Sequence, residues 1–187
     1  GETTVKTDAS GYFEFGKLAC GTYVVSEEAR EGWFSTTPAK VEVKLACGGG
    51  EKVVFGNCRW AKISGYKYED SDDSGTISAG DAPVEGVTIK LWKGAVLVAT
   101  TATDASGWYG FSGLVPGDYT VEEILPDGTY AVTPVTVGLT LTSGDAKTAD
   151  FLNAPIHCSI AGTKWDDADA DGIADEGELG LAGVTIQ

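Results

Sequence analysis

The sequence predicts an all-β chain of tandem antiparallel β-sandwich domains, one complete and two partial. Three observations predict this fold: an internal repeat of roughly a hundred residues, apolar residues that alternate with polar ones, and frequent Gly, Pro, Asp and Ser between the alternating stretches. About seven short strands per hundred residues is typical of a two-sheet sandwich. Because the periodicity is two and not that of a helix, we expect almost no helix.

The complete unit contains seven predicted strands, separated by turn-forming residues such as Lys93-Gly94. They are expected near residues 62–68, 86–92, 95–102, 107–112, 118–124, 132–141 and 147–153. The alternating apolar positions are Val87, Ile89 and Leu91 in the second strand, Tyr109 and Phe111 in the fourth, Tyr119 and Val121 in the fifth, and Val135, Val137, Leu139 and Leu141 in the sixth.

The internal repeat divides the chain into three parts. The pentapeptide TDASG occurs at residues 7–11 and again at 103–107, and GVTI occurs at 86–89 and at 183–186. The two terminal parts are complementary, so the tail of one molecule carries segments that the head of the next one lacks. The predicted parts are 1–58, the C-terminal part of a sandwich repeat; 59–158, a complete repeat; and 159–187, the N-terminal part of a further repeat, able to complete residues 1–58 of a neighbouring molecule.

Composition excludes several classes of partner. The 187 residues carry a net charge of −15 and no cluster of Lys or Arg, so phosphate backbones and anionic membrane surfaces are repelled. No apolar run reaches the roughly 18 residues of a membrane-spanning helix, and no signal segment opens the chain. We therefore expect a soluble chain, mature or excised, that binds no nucleic acid and does not insert into membranes.

Residues 167–178 have the spacing of an EF-hand calcium loop. Oxygen donors occupy positions 1, 3, 5, 9 and 12, Gly occupies position 6, and a main-chain carbonyl is available at position 7. A hard cation that takes six to eight oxygens needs alternate side chains turned inward around a tight turn. The alternative is a solvated acidic loop. The predicted calcium ligands are Asp167, Asp169, Asp171, the carbonyl of Ile173, Asp175 and Glu178.

Residues 70–81 form the equivalent loop of the complete unit. Ser74 and Ser78 replace Asp at positions 5 and 9, and the last ligand is shorter, so calcium should bind here more weakly. The predicted ligands are Asp70, Asp72, Ser74, Thr76 and Asp81.

The combination of these motifs resembles the SdrD B-like (Cna B-type) domains of bacterial and archaeal surface proteins. The resemblance is carried by GxKxxD at 65–70, the acidic loop, GVTI at 86–89, TDxxGxYxF at 103–111 and GxYxVxE at 117–123. It implies a Greek-key sandwich of the immunoglobulin-like or prealbumin-like type, used as a stalk or fibre segment at the extracellular cell surface. It also implies stiffening by calcium and, in some members, by an internal Lys–Asn isopeptide bond.

Strand parity gives independent support for such a bond. Lys67 is in phase with Ile63, Glu123 with Val121, and Asn153 with Phe151, so all three polar groups face the core. Burial favours a neutral amine and a protonated carboxyl, so Lys67 could attack the Asn153 side-chain carbonyl while Glu123 promotes the reaction. Alternatively, Lys67 extends to solvent, Asn153 caps the strand end and Glu123 pairs with a surface cation.

The same three residue types recur at the ends of the chain. Glu27 and Asn57 lie in the first part and Lys164 in the last, so Lys164 would meet Asn57 only across molecules, with Glu27 promoting the bond. The partners are then copies of this chain joined head to tail. The alternative is that the partners are neighbouring repeats of a longer chain.

The four cysteines indicate an oxidising, extracellular setting. Cys20 and Cys47 fall in two turns at the same end of the predicted sheet and are expected to form a disulfide. Cys58 and Cys158 lie in the segments that follow each unit, and their pairing stays open.

The predicted function is structural and non-enzymatic, with at most self-catalysed isopeptide formation. His157 is the single histidine and lies in a linker, and no nucleophile or nucleotide-binding motif occurs. The alternative is a calcium-dependent carbohydrate- or protein-binding module of a secreted enzyme or adhesin, in which Trp60 or Trp92 stacks on a sugar. A planar row of exposed aromatic residues would favour that alternative.

Overall fold

The computed structural model describes residues 1–174 and 176–187, and every regular element in these residues is a strand. The all-β prediction is confirmed. Among the described residues, no helix is both long and apolar enough to cross a membrane. The strands are β1 (Gly21–Ser26), β2 (Trp33–Ser35), β3 (Lys40–Leu45), β4 (Asn57–Arg59), β5 (Ala61–Glu69), β6 (Ala82–Pro83), β7 (Thr88–Lys93), β8 (Val96–Ala102), β9 (Trp108–Leu114), β10 (Gly117–Glu123), β11 (Thr129–Ala131), β12 (Thr136–Leu141), β13 (Ala146–Thr148) and β14 (Phe151–Pro155).

Strands β5 to β14 form a two-sheet sandwich. One sheet has the antiparallel order β12-β10-β7-β8, and the other has the order β11-β14-β5-β13, with β6 and β9 also paired to β5. β13 and β14 run parallel to β5, unlike the purely antiparallel pairing expected from the sequence. The difference arises because the chain returns from the first sheet after β12 and then follows β5 in the same direction.

Two predicted strands differ from the structure. The strand predicted at 132–141 begins only at Thr136, as β12, because Pro134 lacks an N–H for a ladder bond, and residues 132–135 separate it from β11. There, the N–H groups of Val132 and Thr133 donate to the Leu152 carbonyl. The predicted strand at 147–153 divides into β13 and β14 where the Asp150 carboxylate accepts the N–H of Tyr66 at 2.8 Å.

The core lies between the two sheets. Ile89, Leu91 and Val121 from one sheet and Ile63 and Phe151 from the other have no solvent exposure. Each such side chain contributes about 1.5–3 kcal/mol through removal of apolar surface from water. The predicted alternation therefore identified the inward-facing positions correctly.

The terminal parts have no comparable core. In residues 1–58, β1 pairs with β3 and β2 pairs with β4, and their inward side chains are only half-buried. In the described residues of 159–187, one β-bridge joins Trp165 to Gly180. The division of the chain after residues 58 and 158 stays a prediction.

Candidate crosslink and calcium sites

Three strands bring Lys67, Glu123 and Asn153 together. Lys67 lies on β5 and Asn153 on the neighbouring parallel strand β14, whereas Glu123 ends β10 in the opposite sheet. All three face inward as the period-two pattern predicted, and they are 1%, 2% and 2% exposed. The site therefore bridges the two sheets at one end of the core.

One carboxylate oxygen of Glu123 contacts both other members of the triad. The Asn153 Nδ2 group donates to Glu123 Oε1 at 2.9 Å, and Lys67 Nζ lies 3.5 Å from the same oxygen. Lys67 Nζ also donates to the carbonyl of Tyr68 at 2.5 Å. Because Lys67 is enclosed, the alternative in which it extends to solvent does not occur here.

Burial shifts the pKa values of Lys67 and Glu123. Desolvation lowers the pKa of Lys67 and raises the pKa of Glu123, and in each case the opposite charge of the partner opposes the change. Two buried atoms, Glu123 Oε2 and Asn153 Oδ1, have no hydrogen-bond partner in the described structure. Burial thus moves the amine and the carboxyl toward their neutral forms, and the Asn153 carbonyl is free to accept a hydrogen bond.

A small cavity adjoins the triad. Its volume is about 160 Å³, and it opens between the β5–β14 pair and the segments on either side. The lining residues are Lys67, Glu69, Val84, Pro126, Thr129 and Asn153.

The second predicted set is only partly assembled within one chain. Asn57 Nδ2 donates to Glu27 Oε2 at 2.6 Å, which repeats the Asn153–Glu123 contact. Lys164 Nζ donates to the carbonyl of Trp165 at 3.2 Å, which repeats the contact of Lys67 with Tyr68. In the described part of the chain no hydrogen bond or ion pair joins Lys164 to Asn57.

The loop at 70–81 gathers carboxylate oxygens of Asp70, Asp72 and Asp81 within 4.8 Å of one another. Asp70 accepts the N–H groups of Ser74 and Gly75, and Asp81 accepts that of Ser71. Hydrogen bonds from Ser74 and Ser78 lower the pKa of Asp72, which keeps it ionised. The Ser74 hydroxyl donates to the predicted carbonyl ligand of Thr76 at 2.9 Å.

The loop at 167–178 has the same internal pattern. Carboxylates of Asp167, Asp169 and Asp171 lie within 4.8 Å of one another, and Glu178 accepts the N–H of Ala168 at 2.8 Å. The Ile173 N–H donates to Asp171 at 2.7 Å. The predicted ligand Asp175 lies outside the described residues.

The donor chemistry of both loops fits calcium. Carboxylate, hydroxyl and carbonyl oxygens are ligands for a hard cation, whereas zinc and copper favour the nitrogen and sulfur donors that the loops lack. Both loops also place a left-handed residue at position 4, Asp73 with φ 51° and Ala170 with φ 62°, and a left-handed glycine at position 6. The two loops, which differ in sequence, thus share left-handed backbone conformations at the same two positions.

The disulfide that the sequence predicts is present in the structure. Cys20 and Cys47 form a disulfide that ties the start of β1 to the end of β3. Cys58 and Cys158 are free thiols, the first half-buried and the second exposed.

The two tryptophans proposed for sugar stacking have other contacts. The Trp60 ring packs on Phe34 at 4.3 Å between centroids, and Trp92 Nε1 donates to Glu122 at 2.6 Å. A different aromatic group, which the sequence analysis missed, lies on the outer face of β5 and β9, with two exposed members and one half-buried member. We call it the aromatic row; it consists of Tyr66, Tyr68 and Trp108.

The fold and these sites define a β-sandwich repeat with acidic loops and a buried Lys–Glu–Asn triad. The family model for the SdrD B-like domain matches residues 61–164, and the chain belongs to this family. The predicted resemblance is therefore confirmed.

Relatives in the same family are large repeat-containing proteins of staphylococci. The chain is 30% identical to serine-aspartate repeat-containing protein F of Staphylococcus epidermidis, over 98% of this chain and 13% of that protein. It is 34% identical to serine-aspartate repeat-containing protein E of Staphylococcus aureus, over 98% of this chain and 18% of that protein. The bone sialoprotein-binding protein of S. aureus is 33% identical over 98% of this chain and 19% of its own length. The chain thus spans less than a fifth of these relatives.

Solved structures that align with this chain share less of its sequence. The Bacillus anthracis TIE protein aligns with 80% of this chain and 28% of its own, at 19% identity and a TM-score of 0.46. The minor pilin GBS52 of Streptococcus agalactiae aligns with 84% of this chain and 70% of its own, at 18% identity and a TM-score of 0.44.

Proposed function

We propose that the chain is a structural, non-enzymatic repeat of an extracellular surface fibre or adhesin stalk. We also propose that a Lys67–Asn153 isopeptide bond makes its complete unit resistant to mechanical unfolding. The buried triad carries this proposal. β5 and β14 are the first and last strands of the sandwich and lie side by side, so a bond between them ties the two points where tension enters and leaves the unit. Every strand between them is then shielded from the load.

The chemistry of the bond follows from the three side chains. Neutral Lys67 Nζ attacks the Asn153 side-chain carbonyl carbon, and protonated Glu123 donates a hydrogen bond that polarises the amide. The new C–N bond forms as the bond to Asn153 Nδ2 breaks. Glu123 relays the proton lost by Lys67 to the departing nitrogen, so amine and primary amide become a secondary amide and ammonia. The adjoining cavity gives the ammonia a path out.

Calcium is the second proposed stabiliser. Asp70, Asp72, Ser74, Thr76 and Asp81 would hold one ion, and Asp167, Asp169, Asp171, Ile173, Asp175 and Glu178 would hold another. A bound ion supplies positive charge that neutralises the crowded carboxylates and fixes the loop. The protein's part is to turn the carboxylates inward, which is what the main-chain N–H donors of each loop favour.

The proposed partners are further repeats. The family and the small share of each relative that the chain covers support neighbouring repeats of a longer surface protein as partners. Copies joined head to tail are the second arrangement, in which Lys164 of one molecule meets Asn57 and Glu27 of another. The pre-formed Glu27–Asn57 contact supports that arrangement.

Intact mass of the denatured, reduced protein tests the crosslink. We expect a monomer lighter than its sequence by one ammonia, with a peptide that joins Lys67 to Asn153. Asn153→Ala and Glu123→Ala should have the full mass, and the exposed control Glu85→Ala should keep the loss. A fully folded wild-type protein of unmodified mass would overturn the crosslink. A heat- and reductant-resistant ladder that Asn57→Ala abolishes would identify the bond between molecules.

A further inference from the structure

The aromatic row lies on the solvent face of the sheet that contains β5 and β9. Tyr66 and Trp108 are direct cross-strand partners, and Tyr68 follows on the same face two residues after Tyr66. The Tyr66 and Tyr68 rings are 5.9 Å apart and within 23° of parallel. Tyr66 is 41% and Trp108 43% exposed, so two large aromatic surfaces face water side by side. Exposed apolar groups of this kind commonly mark interaction sites.

Gly110 gives Trp108 its position. A Cβ atom at Gly110 would lie only 2.7 Å from two carbons of the six-membered ring of Trp108. The indole therefore lies over the backbone of Gly110, close to the sheet, where a side chain would push it away. The ring is held down against the strand, and its other face is open to solvent.

The fold itself does not need the aromatic row. In the first part of the chain Tyr12 stands at the place of Trp108, but Glu14 replaces Gly110. In the last part Thr163 replaces Tyr66. Only the complete unit combines the two exposed rings with the glycine beneath one of them.

Polar groups border the row. Ser64 lies directly opposite Gly110 on β5. The Asp150 carboxylate binds the Tyr66 N–H through Oδ1, so its second oxygen lies at the same edge. Lys62 is exposed on the same outward face of β5, two residues before Ser64. Exposed aromatic rings with hydrogen-bonding groups beside them offer both stacking and polar contacts to a small ligand that lies flat on the sheet.

We propose that the aromatic row binds a neutral, β-1,4-linked oligosaccharide. Three side chains offer far less than the about 800 Å² per partner of a stable protein interface, so the ligand is small. The net charge of −15 opposes an anionic glycan. Pyranose rings with equatorial hydroxyls have apolar C–H faces that pack on aromatic rings while their hydroxyls bond at the margin. A β-1,4 linkage keeps successive rings in one flat, extended ribbon that can lie along the side-by-side rings of Tyr66 and Trp108, whereas the flexible α-1,6 linkage of isomaltohexaose does not. This binding is independent of the crosslink and of calcium.

Titration with cellohexaose and N-acetylchitohexaose tests the proposal, with isomaltohexaose as the control sugar. We expect a β-1,4-linked hexamer to shift the indole N–H resonance of Trp108 and to release heat in calorimetry. Trp108→Ala should weaken binding at least about fivefold, the lower end of what loss of one aromatic stacking partner costs. Gly110→Ala should also weaken it, because it displaces the indole. Tyr12→Ala removes the exposed aromatic residue at the equivalent place in the first part and should bind like the wild type.

Several outcomes would overturn the proposal. They are the absence of any Trp108 shift with both β-1,4 hexamers at about 10 mM, equal binding by Trp108→Ala, or equal binding of isomaltohexaose. Self-association that Trp108→Ala abolishes, without sugar binding, would assign the row to a second copy of the chain. Thermal unfolding shows whether each variant is folded. If Trp108→Ala does not fold, loss of sugar binding in Gly110→Ala and Tyr66→Ala tests the proposal instead, and equal binding by both would overturn it.

Discussion

Gly65, in the middle of β5, leaves room for the backbone of the following strands. A Cβ atom there would overlap the carbonyl oxygen of Ala149 and lie 2.9 Å from the Tyr109 ring. That carbonyl also accepts the buried hydroxyl of Tyr109. The absence of a side chain at residue 65 thus lets β5, β9 and the β13–β14 turn pack together beside Lys67.

We expect Gly65→Ala to destabilise the complete unit by about 4 kcal/mol or more, because backbone atoms cannot move aside as a flexible side chain can. Urea unfolding measures the change in the free energy of unfolding. The control is Gly138→Ala in β12, where a Cβ atom meets nothing within 4 Å. Equal stability of the two variants would contradict this account of β5.

Asp104 stabilises the turn between β8 and β9. Its Oδ1 accepts the Ser106 hydroxyl at 2.6 Å and the N–H groups of Ser106 and Trp108. These bonds, the Ser106 hydroxyl first, lower the pKa of Asp104 below its ordinary 3.8. The unfolded chain therefore binds the proton more readily, so this stabilisation is complete above the unfolded pKa and is lost as pH falls through the folded pKa.

Asp104→Asn should accordingly reduce the dependence of stability on pH in that acid range. Thermal unfolding from pH 5 to pH 2 measures the slope for the variant and the wild type. The exposed turn residue Asp127 supplies the control substitution Asp127→Asn. An unchanged acid slope in Asp104→Asn would contradict the assignment.

At the scale of elements, the loop at 70–81 and the residues that follow it are hydrogen-bonded to the strands that carry Lys67 and Asn153. The N–H of Asp70 donates to the Asn153 carbonyl at 2.8 Å, and the N–H of Val84 donates to the Lys67 carbonyl at 3.0 Å. Ordering of the loop therefore supports β5 and β14, the strands that carry Lys67 and Asn153.

Calcium should raise the unfolding temperature of the protein, and a chelator should reverse the effect. A ligand at a hundred times its Kd stabilises the folded state by about 2.7 kcal/mol. Asp72→Ala should reduce the gain, and Asp73→Asn, at a position without a proposed ligand, should retain it. Calorimetric scans with calcium and with EDTA make the comparison. Identical scans for the wild type would contradict calcium binding.

The sequence predicted the inward face of each strand because side-chain direction follows strict alternation. It thereby placed Lys67, Glu123 and Asn153 in the core. The up-and-down order of the strands brought the turns of Cys20 and Cys47 to one end of the sheet, where they form the predicted disulfide. The sequence did not predict the aromatic row, because that group depends on the register of β5 against β9, which shifts between Ala61 and Ile63. The parallel pairs of β5 also depend on the path between sheets, which no local pattern encodes.

At the scale of the molecule, the first part joins the complete unit through a short, packed connection. Only Trp60 separates β4 from β5, and its ring packs on Phe34. The Arg59 guanidinium lies 4.7 Å from the Trp33 ring, and the Arg59 N–H donates to Ser143 of the complete unit at 3.0 Å. At the second connection Ile156 takes the place of Trp60 and is 58% exposed.

We therefore expect residues 21–59 and 61–155 to tumble together in solution. Trp60→Ala should give the first part faster motion of its own, and Ile156→Ala should not. Nitrogen-15 relaxation of the backbone amides measures the motion of the first part in each variant. Independent tumbling of the two parts in the wild type would contradict a packed connection.

The most direct test of the central claim is force spectroscopy on the wild-type chain held at its two ends. With the Lys67–Asn153 bond in place, pulling should give no extension from the residues between 67 and 153. Asn153→Ala keeps the Lys67–Glu123 pair but lacks the carbonyl, so it should release this length in one unfolding event. A wild-type chain that extends as far as Asn153→Ala would show that no covalent bond bears the load.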